Sequence, residues 1–333
     1  MDRRKLPPLG PGPEFDLIRK LVGGTKPLPD GIRVGPGDDC LVLDEGLVIS
    51  VDLSIEDVHF RRDWISMEEA GWRAAAAALS DLAAMAAEPV GVLVSMAVPE
   101  GEVDDTALAL QRGAEQACEG VGARILGGDL SRSPGPVILD VVVLGRKESP
   151  LLRGGSLPGD EVWVTGWLGR AGAAVEAWTR GVEPPSAFRE AFARPEPRVR
   201  ELLWLAAQVD LHAGIDLSDG LAGDAGHLAA ASGVAVVLDP EDLPIPPDLV
   251  EYYGSPEECL HIVLRGGEDY EVCVTAPRGA VGPLASRFEE EFGIPLSRVG
   301  VVEEGVGVHL LGNPEGADSP EGGFTHFGGS EGR

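Results

Sequence analysis

Two hydrophobic rhythms alternate along the chain: short unbroken apolar runs that suit buried strands, and three-to-four-residue spacings that suit helices. EFDLIRKLV from Glu14 predicts a short helix, LVISVD (47–52) a strand ending on an acid, and MEEAGWRAAAAALSDLAAMAA (67–87) a long alanine-rich helix. GVLVSMAV (91–98) and PVILDVVVLG (136–145) read as strands around a helix over 106–121, and ARIL leads into a Gly-Gly-Asp turn. Beyond a turn-rich joint at 147–161, EVWVTG predicts a strand, and LGRAGAAVEAWTRG and RPEPRVRELLWLAAQV predict helices. AGIDLSDGLAGDAGHLAAAS (213–232) reads as a strand end feeding a helix whose first turn holds Ser218 and Asp219. VAVVLD, HIVLRGGEDYEVCVTA and RVGVVEEGVGVHLL supply further strands. Such alternation predicts an α/β (α+β) protein of two domains, residues 1–148 and 149–333.

Charge narrows the partners. Lys+Arg 27 against Asp+Glu 55 gives a formal charge of −28, which repels phosphate backbones and anionic lipid, so neither nucleic acid nor membrane is expected. No run approaches the ~20 apolar residues of a membrane span, and no apolar stretch follows the basic residues near the start, so a cytoplasmic location is expected. Cys40, Cys118, Cys259 and Cys273 lie far apart with no CxxC pair and read as small buried hydrophobes. Only four of the 27 cations are lysines, so any side-chain grip on phosphate falls mostly to arginine.

The chemistry lies in the placement of acids. No GK[ST], HRD, DFG, GxGxxG or HExxH occurs, so a P-loop, a protein-kinase site and a zincin site are excluded. Asp39 follows a Gly-Pro-Gly-Asp turn, Asp52 ends a strand, Asp81 sits inside an alanine and leucine helix, Asp129 follows Gly-Gly, and Asp216 and Asp219 bracket Ser218. A carboxylate set in an apolar helix costs several kcal/mol, on the order of 2–7, to desolvate unless a cation compensates. Hard oxygen donors on turns and strand ends are what Mg²⁺ takes, with the remaining positions filled by water and nucleotide phosphates. GGD (127–129) and GGED (266–269) each set an acid behind residues that allow close backbone approach to a ligand.

These segments resemble the thiamine-monophosphate kinase family, in the superfamily of aminoimidazole ribonucleotide synthetase. The carrying motifs are EFDLI (14–18), GDDCLVL (37–43), ISVD with VHF (49–60), LSDLAAMAAEP (79–89), GGD (127–129), GR (145–146), RPEPR (194–198), IDLSDGL (215–221), GGEDYE (266–271) and GFTHF (323–327), in family order. The resemblance implies a two-domain fold, an N-terminal mixed sheet forming a homodimer, and transfer of the γ-phosphoryl of ATP to thiamine monophosphate. It implies Mg²⁺ held by Asp39, Asp52, Asp81, Asp129, Asp216 and Asp219, with Asp129, Asp216 and Asp219 closest to the chemistry. It assigns Gly128, Asp129, Arg146 and Ser218 to the nucleotide, and His59, Glu268 and Phe324 to the thiamine phosphate. The chain departs from the family at Val51, where threonine supplies a metal contact that Ser50, backbone or water must take over, and at Ala78, Gln111 and Leu130. Two alternatives fit the same motifs: another ATP-using member of the superfamily, or a non-catalytic binder of nucleotide or thiamine phosphate.

Overall fold

A computed structural model describes residues 13–22, 28–101 and 103–312. Phe324 and the GFTHF segment lie outside the described residues. The first unit runs α1 (Pro13–Val22), β1 (Ile32–Val34), β2 (Leu41–Leu43), β3 (Leu47–Ile55), α2 (Met67–Ala84), β4 (Glu88–Pro99), α3 (Val103–Gly120), β5 (Ile125–Ser133) and β6 (Ile138–Arg146). Its mixed sheet has the order β1-β2-β3-β6-β4-β5, antiparallel except for the β4–β5 pair. The second unit runs β7 (Glu161–Thr165), α4 (Arg170–Thr179), α5 (Ser186–Ala193), α6 (Val199–Gln208), β8 (Ala213–Leu217), α7 (Leu221–Ser232), β9 (Ala235–Leu238), α8 (Pro247–Tyr253), α9 (Pro256–Arg265), β10 (Glu271–Ala276), α10 (Ala285–Phe292), β11 (Leu296–Glu303) and β12 (Gly307–Leu310). Its sheet, β12-β9-β11-β7-β10-β8, is also mixed, with β12 and β9 parallel.

Helix α2 joins the two units. It packs against α3, β3 and β6 on one side and against α5, α6, β8 and β10 on the other. A helix covered on every side must be apolar all round and slim, which is why its sequence is so rich in alanine. Ser66 and Glu69 close a reciprocal capping box at its start, and Arg189 of α5 forks onto the same Glu69 at 2.8 and 2.9 Å. Where α2 crosses α3, a Cβ on Gly113 would lie 1.8 Å from the Glu68 carbonyl oxygen and one on Gly71 2.0 Å from that of Leu110. Only glycine permits that approach.

Three local expectations change. The run HIVLRGGEDYEVCVTA divides: Ser255 caps α9, Pro256 opens it, Cys259, Ile262 and Val263 bury at helical spacing, and only Glu271–Ala276 is strand. Gly127–Asp129 lie inside edge strand β5 rather than in a turn, because Gly128 allows a backbone contact with β4 in which a Cβ would sit 1.8 Å from the Val94 oxygen. Helix α7 begins at Leu221, since Gly220 (φ 102°) turns the chain first, so Ser218 and Asp219 occupy the turn between β8 and α7.

Candidate active site

Acids converge where α2 passes between the sheets. Asp39 comes from the turn before β2, Asp52 and Ser50 from β3, Asp81 from α2 and Asp216 from the end of β8. Carboxylate oxygens of Asp39, Asp81 and Asp216 lie within 4.8 Å of one another, a spacing able to hold a metal ion. Unit charges that close repel by about 3–4 kcal/mol per pair at a moderate effective dielectric. Burial, then the charges of Asp52, Asp216 and Asp39, therefore pushes Asp81 well above the carboxylate range. Burial and Asp39 push Asp216 up to about 7, and burial with Asp39 and Asp140 pushes Asp52 up to about 6.

The hydroxyls and the cation around these acids are placed to support charge. Ser50 Oγ donates to Asp81 Oδ2 at 2.5 Å, and Ser80 Oγ donates to Asp216 Oδ2 at 2.8 Å. Val51 points from the opposite face of β3 into solvent, so Ser50 is the hydroxyl that this strand offers to the cluster. Arg153 directs Nε and Nη2 to Asp39 Oδ1, whereas Asp39 Oδ2 is buried with no hydrogen-bond partner. A buried carboxylate oxygen left bare among other hard oxygen donors suits Mg²⁺, so these residues fit that ion.

Asp219 and Ser218 stand beside the cluster, at the head of α7. The Asp219 amide donates to Asp224 Oδ2 at 3.1 Å, and burial plus the charges of Asp219 and Asp216 raise Asp224 strongly. Neither Asp224 nor Arg153 stands out by motif. Asp224 carries the same signal as Asp81, an acid inside an apolar helix, while Arg153 sits in a turn-rich stretch with nothing to mark it.

The GGEDYE loop lies directly against the turn between β8 and α7, the Glu268 amide donating to the Ser218 carbonyl and the Tyr270 amide to that of Leu217, at 2.8 Å each. Glu268 and Tyr270 both adopt left-handed backbone (φ 67° and 50°), a strained state that clusters at functional sites. Tyr270 donates its hydroxyl to Glu268 Oε2 at 2.9 Å, and Arg73 of α2 pairs with the same oxygen. The Arg73 guanidinium lies 3.9 Å from the Phe192 ring centroid and also donates to the Phe192 carbonyl. Tyr270 is near enough to Asp52 to feel its charge. The last acid of the motif, Glu271, is held by Arg198 of RPEPR at 2.6 and 2.8 Å and by Thr165 at 2.6 Å, a tie between α6, β7 and β10.

The remaining sequence-nominated residues lie apart. His59 follows β3 and accepts from the Ile55 amide through Nδ1 at 3.0 Å. Register sets Asp129 in the row of Ser95, Asp140 and Leu53, on the sheet face away from α2, whereas Gly128 lies in the row of Val94, Val141 and Asp52. Arg146, opposite Leu47 at the end of β6, is exposed. Asp52, Asp129 and Asp219 are not members of the three-acid group within 4.8 Å. All four cysteines are free and buried.

Similar known proteins are numerous. Residues 37–147 match the AIR synthase related protein, N-terminal domain, and residues 158–312 match the corresponding C-terminal domain. A thiamine-monophosphate kinase from Rhodopirellula baltica is 33% identical over 303 residues, covering 87% of this chain and 89% of that protein. One from Methanopyrus kandleri is 34% identical over 307 residues, covering 91% and 94%. Among solved structures, AaThiL complexed with AMPPCP and TMP superposes with a TM-score of 0.76 at 29% identity, covering 96% of this chain and 97% of that one.

Proposed function

The chain belongs to the thiamine-monophosphate kinase family of AIR synthase related proteins, and from that membership we propose that it transfers the γ-phosphoryl group of ATP to thiamine monophosphate, giving thiamine diphosphate and ADP. The observation that carries the reading is the meeting of Asp39, Asp81 and Asp216 from three separate elements with oxygens within 4.8 Å. We assign Asp39, Asp52, Asp81, Asp216, Asp219 and the Ser50 hydroxyl to Mg²⁺, whereas Asp129, on the sheet face away from α2, is set apart from this cluster and is not among its ligands within one chain. Bound there, Mg²⁺ would neutralise polyphosphate oxygens as the phosphoryl group moves, the part a P-loop lysine plays elsewhere.

The protein's own groups position the reactants. Ser218, at the turn into α7, offers its hydroxyl and backbone amide to phosphate, and we assign Gly128, Asp129 and Arg146 to the rest of the nucleotide. His59 and Glu268, with Phe324 from outside the described residues, take the thiamine phosphate. In-line transfer between two bound phosphates needs orientation and charge neutralisation and no covalent phospho-enzyme. Asp216 and Asp219 flank Ser218 and so share the space where the transferred group would lie.

The reading extends to assembly and location. Residues 1–148 form the nucleotide-binding and dimerisation part, and residues 149–333 complete the site. Val51, Leu53 and Leu126 expose 59%, 52% and 59% of their surface on the sheet face that carries Asp129. An apolar sheet face of that kind favours a partner, and a homodimer through it would bring Asp129 and Arg146 to the interface. No helix among the described residues is long and apolar enough to cross a membrane, in keeping with a cytoplasmic enzyme.

Purified protein incubated with ATP, Mg²⁺ and thiamine monophosphate should form thiamine diphosphate, and Asp216→Asn should lower kcat by about 100-fold or more. Brisk ATP consumption with another acceptor and none with this one would remove the substrate assignment.

A further inference from the structure

The clustered acids share one fixed cation. Arg153, in the segment between β6 and β7, directs Nε at 2.8 Å and Nη2 at 2.5 Å onto a single oxygen of Asp39. Guanidinium and carboxylate ordinarily match two donors to two oxygens. Here both donors fall on Oδ1, and Oδ2 stays bare although the Asp39 side chain is 0% exposed. Nor is Arg153 a loose surface chain: its amide donates to the Asp38 carboxylate at 3.2 Å and its carbonyl accepts from Ser232 Oγ at 3.3 Å. The same Ser232 oxygen accepts from the Gly155 and Ser156 amides at 3.1 Å each, fixing the segment against the end of α7. The positive charge reaches Asp216 and Asp224 as well as Asp39.

Resting on the reading of this cluster as a metal centre, we propose that Arg153 is its built-in counter-ion, holding the acids together in the metal-free protein while lowering their affinity for a divalent cation. A cluster of four acids without such a charge would grip a free cation tightly and repel itself when empty. With it, the centre stays assembled when empty, and the cation is held firmly only once nucleotide phosphates add their own charge. The geometry suits that division, since one oxygen of Asp39 is occupied and the other is left for the metal.

Full-length wild type, Arg153→Gln and Arg153→Lys decide the matter by calorimetric titration with Mg²⁺ alone and by thermal unfolding in Mg²⁺ and in EDTA. Arg153→Gln should bind Mg²⁺ at least ~10-fold more tightly, because a like charge has left the site. In EDTA it should unfold about 5 °C or more below wild type, a deficit that closes in saturating Mg²⁺. Arg153→Lys keeps the charge without the fork and should stay within about threefold of wild-type affinity. A glutamine variant that is less stable by the same amount in Mg²⁺ and in EDTA, with unchanged affinity, would make Arg153 a structural tie only and overturn the inference. Should that variant fold only in Mg²⁺, unfolding on chelation under conditions where wild type persists supports it, and equal persistence refutes it. Absence of Mg²⁺ binding to wild type with or without ATP would instead remove the metal-centre reading, and this inference with it.

Discussion

At the scale of single residues, the site is a set of acids whose function and stability pull in opposite directions. Asp81 is held among Asp39, Asp52 and Asp216, with the Ser50 hydroxyl donating to it. Replacing it by asparagine removes repulsion and keeps an oxygen to accept from Ser50. Asp81→Asn should therefore leave the metal-free protein at pH 8 as stable as wild type or about 1–2 kcal/mol more so, while kcat falls by about 100-fold. Denaturant unfolding in EDTA beside a kinase assay tests both halves, and a variant that is both active and unchanged in stability would contradict the placement of Asp81 at the metal. Glu268 is a contrasting case, since Arg73 and Tyr270 already hold it in a strained backbone state. Glu268→Gln should raise KM for thiamine monophosphate by about tenfold and leave KM for ATP within about twofold, which steady-state kinetics with each substrate varied in turn will read.

At the scale of elements, α2 carries the most constraint. Its axis is pressed against α3 through two glycines, so a methyl group cannot be added without driving the helices apart. Gly113→Ala should destabilise the protein by about 3 kcal/mol or more, whereas Gly120→Ala, at the open end of α3 with nothing within 4 Å of the added carbon, should be neutral or stabilise by up to about 1 kcal/mol. Equal midpoints for the two variants in urea would show that the crossing is looser than these distances require. The same helix shows what local pattern can convey. Its length and alanine content are legible because all-round burial leaves a mark at every position, and Asp81 is legible because an acid breaks that mark. The convergence of Asp39, Asp81 and Asp216 is legible only through motif resemblance, since it depends on β8 of the second sheet packing on α2 of the first, which no local rule encodes. Arg153 and Arg73 are opaque for the same reason: an arginine in a turn or on a helix carries no record of the distant carboxylate it meets. Helix α9 is hidden differently, as Ile262, Val263 and Leu264 form a β-like run whose direction is set by the Ser255 cap and Pro256 ahead of it.

At the scale of the whole molecule, a net charge of −28 and a buried acidic centre make stability depend jointly on protons and metal. Burial lifts Asp52 to about 6, and Asp38 and Asp216 to about 7, from the 3.8 of an unperturbed aspartate. Between these limits the folded protein holds more protons on these three groups than the unfolded one, so their contribution to stability falls as pH rises through about 4 to 7. Mg²⁺ requires the carboxylates and displaces those protons, so its apparent affinity must climb through the same window. In EDTA the unfolding temperature should thus be lower at pH 8 than at pH 5.5, and 10 mM Mg²⁺ should raise it by several degrees more at pH 8. General screening of so acidic a surface would also stabilise the fold, but NaCl at matched ionic strength supplies that without filling the centre. If NaCl reproduced the Mg²⁺ effect at both pH values, the buried acids would not be acting as ligands. A magnesium-specific shift that grows with pH would tie the centre's charge to the stability of the whole chain.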